Sequence, residues 1–239
     1  MIFFDIDGTL IDHANASAQA SACFYDHFFG AIPFPREKFP VIWEEILTRH
    51  FNRFCCGEIS IWEQRRARIR EVFAAPESTD DEADSRYRIF IHEYESLTRA
   101  YGDASECLES LADEPLGIIS NGARDQQIGK LQRAGLLKYF SVLVFSEDVG
   151  RGKPHPSIFL EACRLADEDP VQCVHIGDDI NADVEASYLL GMKPVWLDRM
   201  GVTACPVPAT RITSLQELRS SDVFAFKVPS PPKGIVHAS

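Results

Sequence analysis

Phe3-Phe4-Asp5-Ile6-Asp7-Gly8-Thr9-Leu10 stands at the head of the chain and sets two carboxylates two residues apart, after an apolar run and before a glycine. On a strand, residues at that spacing share a face, so Asp5 and Asp7 are expected to point the same way where the strand runs out into a loop. Two like charges about 4 Å apart repel by about 4 kcal/mol at an effective dielectric of about 20. Such a pair needs a cation, a shared proton or strong hydrogen bonds. Oxygen-only ligands suit a hard ion, which makes Mg2+ the first candidate.

The rest of the composition narrows the function classes. The chain has 239 residues, 45% hydrophobic and 25% charged, which suffices for one large domain or two small ones. Its formal charge of -12, from 24 Lys and Arg against 36 Asp and Glu, comes without a dense basic run. Neither a nucleic acid polymer nor an anionic membrane surface is therefore expected as a partner. Cys23, Cys55, Cys56, Cys107, Cys163, Cys173 and Cys205 are scattered, with no C-x-x-C spacing, as reduced thiols would be. The acidic pair sits where a signal peptide needs a positive region, and no segment approaches the ~20 apolar residues of a membrane span. A cytoplasmic protein is expected.

Outward from the opening strand, residues 1–6 are apolar on both faces, as in a central strand of a covered parallel sheet. From Asn15 to Tyr101 the periodicity is helical. Ala18, Ala22, Tyr25 and Phe29 predict one buried stripe, Pro33, Pro35 and Pro40 punctuate the following connection, and further helices are expected at 41–54, 59–73 and 82–98. Four helices in a row predict a separate bundle over residues 15–101. After Gly102, helices at 104–112, 125–134, 156–166 and 182–190 alternate with strands at 116–119, 142–145, 173–176 and 194–197. That alternation predicts an α/β core, a doubly wound parallel sheet built from residues 1–14 and 102–226, with its ligand crevice at the carboxyl ends of the strands. Ile212 and a helix at 215–219 would complete it. Residues 227–239, proline-rich, have the composition of a mobile tail.

The polar clusters all fall at such strand ends. Asp5-Ile6-Asp7-Gly8-Thr9-Leu10, Ser120-Asn121-Gly122, Gly152-Lys153-Pro154 and Gly177-Asp178-Asp179-Ile180-Asn181-Ala182-Asp183 occur in this order. Together they resemble the four successive motifs of the haloacid dehalogenase superfamily, and the helical insert between the first two resembles its cap. The resemblance implies a Rossmann-like core and a phosphatase using Mg2+ on a small phosphorylated metabolite, of the nucleotide or sugar phosphate class. It assigns Asp5 as the nucleophile that becomes an aspartyl phosphate and Asp7 as the acid and base. Ser120, Asn121, Gly122 and Lys153 would bind the phosphoryl group, Asn121 and Gly122 through backbone N–H groups. Asp5, the Asp7 carbonyl and Asp178 would hold the metal, with Asp183 in the outer shell. The family's dehalogenases lack an acid at the position of Asp7, because halide leaves without a proton. A sugar phosphomutase and a non-catalytic metabolite-binding protein on the same fold remain alternatives at this point. In the cap, Arg49, Arg53, Arg65 and Arg66 are read as a solvated helix face that could instead meet an anionic substrate. No role is assigned to Asp179, to His13 just past the first motif, or to His50 and His92; His155 is expected to begin a helix.

Overall fold

Short apolar strands separated by amphipathic helices can bury both faces of a sheet only by winding helices over each side of it. The computed structural model, which describes residues 1–201 and 205–218, has that arrangement. Strand β1 (Ile2–Phe4) is followed by α1 (His13–His27), α2 (Phe39–Cys55), α3 (Ile61–Val72) and α4 (Asp80–Leu97). Then come α5 (Ala104–Ser110), β2 (Leu116–Ser120), α6 (Arg124–Arg133), β3 (Val142–Phe145), α7 (Ser146–Val149) and α8 (Pro156–Ala166). The chain continues through β4 (Val174–Gly177), a wide π-type turn at Ile180–Glu185, α9 (Ala186–Leu189), β5 (Lys193–Leu197) and β6 (Thr210–Ile212). The expected tail at 227–239, and the last residue of the expected helix at 215–219, lie outside the described residues.

All neighbours in the sheet are parallel, in the order β3-β2-β1-β4-β5-β6. The chain winds outward from β1 through β2 to β3, then returns to lay β4 on the other side of β1. The crevice beyond β1 and β4 is therefore the switch point where such sheets bind ligands. Alternation along the strands fills the two layers: Ile2, Phe4, Ile118, Val174 and Ile176 face Leu108 and Leu131, while Phe3, Ile119 and Val144 face Ile158 and Phe159. Gly117 is required by this packing, because a Cβ there would stand 2.6 Å from the Phe3 ring.

Helices α1–α4 pack around an aromatic cluster of their own, with Phe24, Phe39, Trp43, Phe90 and Tyr94 buried in it. Capping boxes start two of them, Ser60 with Glu63 at α3 and Thr79 with Glu82 at α4. The buried stripe of α1 corrects the expectation: it is Ala16, Ala20 and Phe24 with Ser17, Ser21 and Tyr25, whereas Phe29 is 77% exposed beyond the helix end. Small residues on several sides of this helix leave its apolar face weakly marked, so Phe24 and its tertiary partners decide the orientation. Pro40 likewise sits inside the first turn of α2 rather than in the connection, a position where its missing N–H costs nothing. The expected helix at 182–190 is divided between the π-type turn and α9.

Two segments join the bundle to the sheet layer, and they are tied to each other. The Asp12 N–H donates to Arg99 O at 3.0 Å and the Tyr101 N–H to Leu10 O at 2.9 Å. Gly117→Ala is expected to lower stability by about 1–3 kcal/mol through overpacking against Phe3, read as a lower urea midpoint with an unchanged slope.

Candidate active site

Strand ends deliver Asp5, Ser120 and Asp178, while Lys153 comes from the loop between α7 and α8 and Asp183 from the π-type turn. The Asp5 N–H donates to Ile176 O at 2.9 Å, which carries the β1–β4 pairing one residue past β1 and fixes the carboxylate above the switch point. Gly8 follows with φ +88°, and a Cβ there would come within 2.2 Å of Asp178 Oδ2, so only glycine lets the loop pass the end of β4. Thr9 donates its hydroxyl to Asp178 Oδ1 at 3.2 Å. The Lys153 ammonium reaches Asp5 Oδ1 and Asp183 Oδ1, each at 2.6 Å. Asp183 Oδ1 also meets His175 Nε2 at 2.9 Å, and its Oδ2 accepts from the Asp179 N–H at 3.1 Å.

Burial dominates the electrostatics. It pushes Asp5 up to about 7, with Asp183 and Asp7 adding to the rise against the opposing pull of Lys153. Asp178 rises to about 8, again through burial first and then the neighbouring Asp5 and Asp183 charges. For Asp183 burial acts in the same direction but is outweighed by Lys153 and His175, so its carboxyl falls well below the usual range. Lys153, despite burial, is held above the usual lysine range by Asp183 and Asp5. Carboxylate oxygens of Asp5, Asp178 and Asp183 lie within 4.8 Å of one another, an all-oxygen cluster that can hold a divalent cation. Both Asp183 oxygens already accept hydrogen bonds, which leaves Asp5 and Asp178 as the under-neutralised members.

Asp7 departs from the expected geometry. Its carboxylate turns to α6, where Lys130 Nζ lies 2.7 and 2.6 Å from its two oxygens and Gln127 Nε2 donates at 3.0 Å. The strand ends at Phe4, so the two-residue alternation no longer governs residues 5–7, and the two acids find separate partners. Burial raises Asp7, but Lys130, His13 and Gln127 bring it below the ordinary range. The second motif is also divided. Ser120 is buried with its Oγ 3.2 Å from Gln127 Nε2, beside the cleft that Asn121 and Gly122 also line. The Asn121 side chain clamps the Lys153 backbone, donating to its carbonyl at 2.9 Å and accepting from its N–H at 2.7 Å. The Gly122 N–H, expected to face a phosphate, donates instead to Ser146 Oγ at 2.8 Å. Asp179 caps the π-type turn and His155 caps α8.

The family model for haloacid dehalogenase-like hydrolases matches residues 1–187, a span that takes in all four clusters. The chain belongs to this family. It is 27% identical over 229 residues to an N-acylneuraminate-9-phosphatase of Rattus norvegicus, covering 91% of each chain. Among solved structures, the magnesium-bound HAD-hydrolase YfnB of Bacillus subtilis aligns with a TM-score of 0.75 at 23% identity, over 90% of this chain and 95% of that one. A 2-haloacid dehalogenase of Pseudomonas syringae pv. Tomato DC3000 aligns with a TM-score of 0.71 at 30% identity, over 94% and 97%. This family member therefore has both phosphatase and dehalogenase relatives, and its own side chains must distinguish the two.

Sequence reasoning missed Lys130, Gln127 and His175, all buried polar groups in direct contact with the motif acids. The available signal was positional: Gln127 and Lys130 lie three apart on the face of α6 that also carries the buried Leu131. Among the bundle arginines, Arg49 pairs with Glu71, Arg53 with Glu58, and Arg66 with Asp80 and Asp84, so these three form the solvated face. Arg65 turns into the cleft instead. His50 pairs with Glu71, and His13 meets Tyr94 Oη at 2.7 Å with Asp7 3.9 Å away.

The raised Asp5 and Asp178 carboxyls have a consequence for stability. A group whose folded value lies above its unfolded one stabilises fully below the unfolded value and loses that contribution as pH climbs through the folded one. In metal-free protein this contribution fades between about pH 4 and pH 8, the window set by Asp5 at about 7 and Asp178 at about 8. The thermal shift produced by Mg2+ is therefore expected to grow from pH 6 to pH 8.5, since the ion competes with protons for the cluster. A shift that shrinks over this range would contradict the assignment.

Proposed function

We propose that the chain is a Mg2+-dependent phosphoric monoester hydrolase that acts on a small phosphorylated metabolite through an aspartyl phosphate on Asp5. The observation that carries this is Asp7, a carboxylate retained at the cleft two residues beyond Asp5. Departing halide needs no proton, whereas a departing alkoxide does, so an acid here favours phosphoryl transfer over dehalogenation. The phosphatase named among the relatives agrees with this choice.

In the first step an Asp5 oxygen attacks phosphorus, the bond to the leaving oxygen breaks, and Asp7 gives that oxygen its proton. In the second, water attacks the same phosphorus, the Asp5 oxygen departs as carboxylate, and Asp7 takes the proton of the water. Lys130 and Gln127 favour ionised Asp7, the form the second step requires. For the first step Asp7 must be protonated and turned from Lys130 toward the leaving oxygen. Lys153 keeps Asp5 oriented and adds positive charge beside the phosphoryl group, and the Ser120 hydroxyl supplies a donor. Asp5, the Asp7 backbone carbonyl and Asp178 would hold Mg2+, with Asp183 outside them. When bound, the ion neutralises the carboxylate cluster and the phosphoryl oxygens.

Residues 15–101 act in this reading as a cap that excludes water and selects the leaving group. The bundle reaches the core at Cys55, whose carbonyl accepts from the Gly152 N–H at 2.8 Å, and through Phe54 and Ile61 against Ala123. The linked segments at Ile11 and Ala100 are suited to serve as its hinge. The Bacillus relative is described as showing interdomain movement.

Phosphate release from an aryl phosphate tests the reading. Omission of Mg2+ and Asp5→Asn are each expected to abolish it, the latter by about 10⁴-fold or more, as for other nucleophile replacements. Asp7→Asn is expected to cost about 10²–10⁴-fold in kcat. Equal rates with Mg2+, without it and in Asp5→Asn would overturn the proposal.

A further inference from the structure

The wall of the cleft opposite the aspartates is cap, and its chemistry is unusual for a buried surface. Helix α3 presents Gln64, Arg65 and Arg68 to a cavity of about 300 Å³, at a helical spacing where apolar residues would be expected. Arg65 is 8% exposed and Arg68 4% exposed. The other arginines of α2 and α3 behave differently: Arg49, Arg53, Arg66 and Arg70 each pair with a carboxylate. Among the described residues no carboxylate forms an ion pair with Arg65 or Arg68.

The direct contacts of both buried guanidinium groups are neutral. Arg65 donates to Gln126 Oε1 at 2.9 Å, and Arg68 packs against the Tyr87 ring. The Nε atoms of both are buried without any hydrogen-bond partner. Arg68 lies 4.8 Å from the ring centre of Trp43, 5.2 Å from Tyr87 and 5.2 Å from Phe90. Glu44, the one acid that the described cap residues contribute to the cleft wall, accepts from Ser17 Oγ at 3.2 Å and acts on Arg68 from beyond ion-pair distance. Burying a charge without an ion-pair partner is costly, and a chain that pairs its surface arginines leaves these two with room for a counter-ion from outside. Rings stacked on the guanidinium leave its edge for donation, and the planar fork of that edge matches a carboxylate.

We propose that Arg68, supported by Arg65, binds a carboxylate on the leaving group, so that the substrate class is carboxylate-bearing phosphomonoesters. This rests on the hydrolase reading and adds to it the chemistry of the part of the substrate that departs. The phosphoryl end meets Asp5 and Lys153 while the carboxylate end meets α3, and the cleft selects by the distance between two anions. Arg65 is joined to Gln126 of α6, so the same anion contacts a residue that bridges cap and core.

Matched pairs test it on the intact protein with Mg2+: 3-phosphoglycerate against glycerol 3-phosphate, and phosphoglycolate against 2-hydroxyethyl phosphate. Within each pair a carboxylate is exchanged for a hydroxymethyl group at equal length. The kcat/KM ratio of the wild type is expected to favour the carboxylate by at least about tenfold, as for one charge-assisted hydrogen-bonded contact. In Arg68→Gln the ratio is expected to fall close to one, with a smaller fall in Arg65→Gln. An arm that needs no turnover and no variant compares thermal stabilisation by 3-phosphonopropionate and by propylphosphonate, the first expected to be larger. Turnover of an aryl phosphate with no carboxylate preference in either pair overturns the inference and leaves the hydrolase reading standing. Absence of all phosphate release strikes that reading instead, and equal stabilisation by the two phosphonates then overturns this one as well. A preference retained in Arg68→Gln overturns the assignment to that residue.

Discussion

One buried ammonium holds the site together. Lys153 bridges Asp5 at the end of β1 and Asp183 beyond β4, at 2.6 Å from each. Removing any member of such a group leaves an unpaired charge out of water, a loss of about 3–5 kcal/mol in comparable cases. The surrounding structure is arranged to keep the three in register. Asn121, at the end of β2, grips the Lys153 backbone from both sides, and His175, from the middle of β4, steadies Asp183. The ends of β1 and β2, the turn after β4 and one loop are thereby tied to a single residue.

The sheet order explains why these residues can meet at all. With β4 laid against β1 on the side away from β2, the loops after both strands open onto one crevice, and the oxygen cluster forms between them. Close approach there is permitted by two glycines. A Cβ at Gly8 would strike Asp178, and one at Gly177 would stand 2.2 Å from Asp183 Cγ. The oxygen cluster is thus built at the strand ends, while the helices above face it with polar groups in place of apolar ones on an inward face. Core and bundle residues line the cleft together.

Much of this was legible along the chain. Alternation of apolar strands with periodic helices, the glycine stops and the polar clusters at strand ends are local signals, written within a few residues of one another. They placed Asp5, Lys153, Asp178 and Asp183 at one end of a parallel sheet, and the structure brings those four together. Asp7 is different, because its partner Lys130 lies 123 residues away and no spacing rule links a loop acid to a lysine on a helix after another strand. The same holds for Gly122, whose N–H was expected to be open and is taken by Ser146.

Periodicity also reaches its limit within the bundle. Arg65 and Arg66 are adjacent in sequence and were read as one solvated face, yet a turn of about 100° per residue sends Arg66 to Asp80 and Asp84 and Arg65 into the cleft. In α1 the small residues mark the buried face only weakly, and Phe24 rather than Phe29 became the anchor once Trp43 and Phe90 surrounded it. The sequence by itself determined the order of strands and helices, the doubly wound class and the acids at the β1 and β4 ends, because backbone preference and hydrophobic period act over short range. Only the tertiary structure decided which charged groups face one another in the opening Asp5-Ile6-Asp7 stretch and which arginines are buried, because those pairings are made across the fold, between residues that chain order leaves far apart.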